Sequence, residues 1–148
     1  MTKTILVIGT YDTKDDELHS MCERITALGG KVVSMDVSVL GDPSRPTDIS
    51  KHDVAAAAGK TIQDAIDSGD ENHAMQIMAA GAAKLTARLH AEGKIDGMVG
   101  LGGTMGTDLV LDCAQALPLG VPKYVVSTVS FSPLIPADRL APDIQMIL

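Results

Sequence analysis

The order of apolar segments along this chain predicts an α/β domain, a Rossmann-like and mostly parallel sheet with helices on both faces. Three observations carry that expectation. Short apolar runs of strand length alternate with longer segments patterned at helical spacing. Glycines stand where the helical patterns stop, at Gly29-Gly30 and Gly93. The strand-like run 95–101 passes straight into Gly102-Gly103-Thr104-Met105-Gly106-Thr107, a glycine-rich turn that opens another helix.

Residues 4–8 are a buried-strand pattern ending at Gly9. The next helix places Leu18, Met21, Cys22, Ile25 and Leu28 on one face, with Thr13 and Asp16 as a capping pair. Residues 31–37 are the second strand, and residues 38–50 a loop marked by Gly41, Pro43 and Pro46. Ser50 reads as an N-cap, followed by a continuous helical stripe of Val54, Ala58, Ile62 and Ala65. After the break at Ser68-Gly69-Asp70, a second helix turns Met75, Met78, Ala82, Leu85 and Leu89 one way. Methionines at that spacing fill a core. Residues 95–101 are the third strand, 107–117 a helix stopped by Pro118, and 123–129 the fourth strand. Pro133, Pro136 and Pro142 mark an irregular stretch. Residues 143–148 begin a fifth strand, so the chain reads as a fragment of a longer protein, or one that stops at a subdomain boundary, whose apolar edge favours self-association.

Composition narrows the function classes. The 148 residues fit one domain, 1–148, and are 45% apolar. No run approaches the roughly 18 apolar residues of a membrane span, and the N-terminus lacks a signal-peptide pattern. Cytoplasmic placement is expected, with Cys22 and Cys113 as reduced, buried thiols. A net charge of −7 argues against nucleic acid and anionic membrane as partners. Tyr11, Tyr124 and Phe131 are the only aromatics, too few for stacking platforms.

Ligands of parallel sheets sit at the carboxyl ends of the strands, which points to residues 9–14, 102–107 and 128–132. In the second of these, Gly102, Gly103 and Gly106 allow close backbone approach and left-handed φ, while a helix N-terminus supplies free amides. Thr104 and Thr107 can donate to phosphate oxygens. The alternative is a turn needed only for helix–strand packing. It is not the dinucleotide fingerprint, whose third glycine would fall on Met105. The first loop offers Gly9, Thr10, Asp12, Thr13 and Lys14, but Asp15-Asp16-Glu17 would repel a bare phosphate. It reads as a ribose, base or metal-bridged phosphate contact, or as an ordinary helix start. Asp36 is either a ribose partner or a solvated loop aspartate. Gly59-Lys60-Thr61 imitates a P-loop, yet the required first glycine falls on Val54 inside a helical pattern. His19, His52, His73 and His90 are widely spaced surface residues, and no metal site is expected from them. No nucleophile–base pair is evident from spacing.

At these residues the chain resembles a family. Residues 8–14, Asp36-Val37 with Leu40-Gly41 and the following proline-rich loop to Ser50, residues 100–107, and Val126-Ser127-Thr128 are similar to the N-terminal part of the ATP-binding domain family of the tomato mosaic virus resistance protein and its bacterial relatives. The resemblance implies a self-associating, two-subdomain protein that binds ATP, with a second α/β half as its partner. Gly102, Gly103, Thr104, Gly106 and Thr107 would cradle phosphates. Gly9, Thr10, Thr13 and Thr128 would line the cleft, Lys14 would be a charge partner, and Asp12 would hold Mg²⁺ through water. Two functions follow from it. One is the nucleotide-binding domain of an ATP-dependent enzyme of small-molecule metabolism. The other is a nonenzymatic interaction module stabilised by ATP, as the plant member's binding of a viral replication protein implies.

Overall fold

The computed structural model describes residues 2–148. Five strands form one sheet in the order β2-β1-β3-β4-β5, and every neighbouring pair is parallel. The strands are β1 (Thr4–Gly9), β2 (Lys31–Asp36), β3 (Gly97–Gly102), β4 (Lys123–Ser127) and β5 (Ile144–Ile147). The helix α1 (Asp15–Ala27) links β1 to β2. Between β2 and β3 run α2 (Lys51–Ala57), α3 (Ile62–Asp67) and α4 (Glu71–Ala91). Helix α5 (Thr104–Gln115) links β3 to β4, while a single 3₁₀ turn at Ala137–Arg139 lies between β4 and β5.

Strand alternation divides the apolar residues between two faces. Leu6, Ile8, Met35, Met98 and Val125 point to the face that α2, α4 and α5 cover, with Met78, Ala82, Leu109 and Cys113 packed on them. Val7 and Val99 point the other way, under Leu18, Met21, Cys22 and Ile25 of α1. Two glycines permit the close approaches on the first face. A Cβ on Gly81 would lie 1.9 Å from the Val54 carbonyl oxygen where α4 crosses α2, and one on Gly100 would meet Val110 of α5 at 2.4 Å.

Several local expectations change. The stripe from Val54 to Ala65 is two helices, because Gly59 takes a φ of 72° and ends α2. Thr61 then starts α3, in a capping box with Asp64 like that of Ser50 with Asp53. Gly59-Lys60-Thr61 is thus a helix–helix turn on the surface, with no strand before it. Thr13 does not cap α1. Its hydroxyl pairs with that of Thr10 at 2.9 Å, and Lys14 is the N-cap. Leu28 falls past the end of α1 and is exposed. Helix α5 begins at Thr104, three residues earlier than its apolar pattern indicates. His19 is not a surface residue: its ring stands edge-on to Tyr11 at 5.5 Å and 3.2 Å from the Asp15 carboxylate.

Two buried lysines fasten the periphery. Lys51 holds the β2–α2 loop through the Gly41 carbonyl, at 2.8 Å, and Asp42. Lys123 is buried at the start of β4 and binds the Asp143 carboxylate and the Pro118 carbonyl, which fixes β5 to the sheet edge.

Candidate functional site

The connections after β1 and β3 leave in opposite directions along the sheet, β1 toward β2 and β3 toward β4. They therefore depart on opposite faces and open a crevice at their carboxyl ends. A cleft of about 740 Å³ occupies that crevice. Thr10, Asp12, Thr13 and Lys14 form one side, and Gly102, Gly103, Thr104, Met105 and Gly106 the other. The third wall was not legible as part of a site. Val37, Val39 and Leu40 come from the β2–α2 loop, and Ile66, Asp70, Glu71 and Met75 from α3 and α4. Only the glycine break at Gly69 signalled that a helix start lay there.

The β1–α1 loop is built on buried polar anchors. Tyr11 turns inward, its hydroxyl donating to the Val7 carbonyl at 3.1 Å, and burial pushes its phenol pKa far up. Its amide donates to Asp36 Oδ1, which also receives the Ser38 amide and hydroxyl. Asp36 is therefore a buried anchor for two loops, and neither a solvated aspartate nor placed for a ribose. Asp12 ties the same loops together. Its Oδ1, 2.9 Å from the Ser38 hydroxyl, shares that group's single proton with Asp36 Oδ1, and its Oδ2 accepts from the Gly41 amide at 3.2 Å. Gly41 must be glycine, since a Cβ there would meet Asp12 Cβ at 2.7 Å. Gly9 does not line the cleft. It lies buried beneath Leu18, whose methyl groups fill the space a side chain would need.

The β3–α5 turn is glycine-rich for closeness, not for left-handed backbone. None of Gly100, Gly102, Gly103 and Gly106 is among the positive-φ residues, and Gly103 has φ −78°. A Cβ on Gly102 would strike the Gly106 carbonyl carbon and the Thr107 nitrogen at 2.4 Å. By contrast, Gly103 and Gly106 face open space, with nothing nearer than 3.9 Å to a built Cβ. Thr107 turns away from the cleft. It is buried, its hydroxyl shared with Ser127 at 2.5 Å and with the Gly102 carbonyl, so it braces the turn against β4. Thr128 lies outside the cleft as well, in a neighbouring hollow of about 280 Å³ that shares Lys14 and Gly102 with it.

Three helix N-termini meet at the cleft, and their charges differ. Helix α1 carries Asp15, Asp16 and Glu17 in its first turn. The Asp15 carboxyl is held below its usual range, first by the Ser44 hydroxyl hydrogen bond. Helix α4 is capped by Asp70, which accepts from the Asn72 amide at 2.9 Å, and Glu71 follows. Helix α5 has no acidic residue in its first turn and no side-chain cap. Thr107 is its first residue to donate backward, to the Gly103 carbonyl at 2.8 Å, so the amides of Thr104, Met105 and Gly106 remain for an outside acceptor. Among the described residues Lys14 has no ion-pair partner, and no three His, Cys, Asp or Glu side chains are grouped for a metal ion.

Residues 3–147 match the family described as the N-terminal domain of uncharacterised protein family UPF0261. The chain belongs to this family. The UPF0261 domain is 57% identical over 144 residues to a UPF0261 protein of Brucella suis biovar 1, covering 97% of this chain and 34% of that protein. A UPF0261 protein of Clostridium tetani is 36% identical over 130 residues, with 88% and 32% covered. The tomato protein described as ToMV susceptible protein tm-1(GCR26), from Solanum lycopersicum, is 28% identical over 145 residues, with 85% and 19% covered. The kinship to the tomato protein and its bacterial relatives thus holds. The UPF0261 domain spans about a third of the length of the curated bacterial relatives it matches. No helix among the described residues is long and apolar enough to cross a membrane.

Proposed function

We propose that this domain binds a nucleotide, ATP, at the β1/β3 crevice, as the nucleotide-binding part of an ATP-dependent enzyme of small-molecule metabolism. The observation that carries the reading is the N-terminus of α5. Of the three helix starts at the cleft it alone lacks a carboxylate, and its free amides face the side where Gly103 and Gly106 leave room. Phosphate oxygens would accept from the amides of Thr104, Met105 and Gly106 and from the Thr104 hydroxyl. Lys14, at the opposite lip, would supply the countercharge. Val37, Val39, Leu40 and Met75 form an apolar wall for the flat body of a base, and the volume suits a ligand of that size. Asp12 accepts one hydrogen bond at each oxygen and keeps a further lone pair on each, and it would hold magnesium through water.

Thr104→Asp tests this directly in the full-length protein. A carboxylate in the first turn of α5 complements the helix dipole, so stability should rise by about 0.3–1 kcal/mol. It would also occupy and repel the phosphate subsite, and calorimetric ATP affinity should fall by about tenfold or more, roughly 1.4 kcal/mol. Lys60→Ala, on the α2–α3 turn, should leave affinity unchanged. A folded Thr104→Asp protein that binds ATP like the wild type would place the nucleotide elsewhere. ATP that is bound but not consumed with any metabolite would favour the interaction module instead.

A further inference from the structure

The face of the sheet opposite α4 and α5 loses its cover progressively from the centre to the edge. Val7, Val99, Tyr124 and Gln145 form one row across β1, β3, β4 and β5 in register. Val7 is fully buried, Val99 is 8% exposed, Tyr124 is 39% exposed and Gln145 is open to solvent. The next row repeats this, with Leu101 and Val126 half-buried and Ile147 45% exposed. Among the described residues α1 is the only helix on this side, packed over β1 and β2. Parallel sheets are covered on both faces, so β4 and β5 here lack a layer and β3 is only partly covered.

We propose that this trough seats an amphipathic helix of the same polypeptide, supplied by the part of the full-length protein that follows the domain. Topology argues for that source. Right-handed crossovers from β2 to β3 and from β3 to β4 place their helices on the opposite face, and the β4–β5 link contains only a 3₁₀ turn. Every helix of the domain is therefore already committed elsewhere. A segment that leaves edge strand β5 and doubles back can reach the open side. Family length supplies the material, since this is the N-terminal domain of proteins about three times as long. Dimensions favour one helix over a second copy. Strands β3 to β5 span about 10 Å at roughly 4.8 Å per strand, the width of a single helix. Helix α1 stands along one side as a wall, which a flat partner would strike. The hollow of about 280 Å³ lined by Lys14, Glu17, Leu101, Val126, Thr128 and Leu148 lies at the carboxyl end of the trough. A helix there would also close the cleft on the Lys14 side.

The test uses the full-length protein carrying Tyr124→Cys or Gln145→Cys, with Lys60→Cys as the exposed reference. Maleimide labelling is read peptide by peptide, so native Cys22 and Cys113 do not interfere. Both cysteines in the trough should react at least about tenfold more slowly than the one at 60, at every protein concentration. A benzophenone attached at position 145 should capture a peptide from beyond residue 148 of its own chain. Protection below tenfold would overturn the proposal. So would protection that disappears on dilution, or capture of a second copy, either of which would identify a dimer face. Gln145→Cys alters an exposed polar position and keeps the test available if Tyr124→Cys fails to fold.

Discussion

Tyr124 and Val125 are neighbours in β4 and lie in different surroundings. Val125 faces α5 and is fully buried, whereas Tyr124 faces the other side and is more than a third exposed. The same contrast runs through the whole sheet. One face carries α2, α4 and α5, brought close by Gly81 and Gly100. The other carries α1 alone. Both faces have apolar strand residues, so the difference lies in which crossovers the chain makes, not in what the strands supply. The candidate cleft lies where the two systems of crossovers part. It uses one helix start from the sparse side, α1, and two from the dense one, α4 and α5. The starts of α1 and α4 bring carboxylates, α1 is preceded by Lys14, and α5 alone brings amides with no carboxylate beside them.

That contrast can be broken most severely at Gly81. Any side chain there would have to displace the Val54 carbonyl, so Gly81→Val should cost more than about 4 kcal/mol, and cooperative thermal unfolding should be lost. A variant melting within a few degrees of wild type would mean that α4 and α2 are not locked together. The adjacent pair in β4 measures the two faces against each other. Val125→Ala should cost about 2 kcal/mol in urea denaturation, from lost burial and a residual cavity. Tyr124→Ala should cost less than about 1 kcal/mol wherever its face is open. A cost of about 3 kcal/mol or more for Tyr124→Ala in the full-length protein would show that face to be covered there.

The smallest effect is expected at the edge. The hydrogen bond from Lys123 holds the Asp143 carboxyl below its usual range. Its folded pKa thus lies under the unfolded value, near 4, so this contribution to stability is present above that pH. It is lost as pH falls through the folded value. Asp143→Asn should therefore flatten the acid limb of the stability–pH curve and loosen β5 first, as amide exchange at residues 144–147 would report. An unchanged acid limb would mean that the pair does not hold the edge.

Much of the fold was legible because it rests on local patterns. Apolar runs, helical stripes and glycine stops located all five strands. Ser50 and Gly93 marked helix ends because caps act within a few residues. The stripe across Gly59 misled because Val54 and Ile62 face the same core from two separate helices, and periodicity does not register one left-handed residue. In the candidate site, Gly103, Thr104 and Gly106 line the cleft, while Thr107 turns toward Ser127 and Gly9 packs beneath Leu18. Residue type alone does not say which way a threonine turns.

By itself the sequence determined the α/β class, the alternation of strands with helical segments, and the presence of a glycine-rich turn after β3, since each of these follows from composition and spacing along the chain. Only the tertiary structure decided that the sheet order is β2-β1-β3-β4-β5, that Asp12 and Asp36 anchor loops, and that three helix starts converge with only one free of carboxylates. The physical reason is that these properties depend on partners distant in sequence: Asp12 on Ser38 and Gly41, Asp36 on Tyr11, and Thr107 on Ser127.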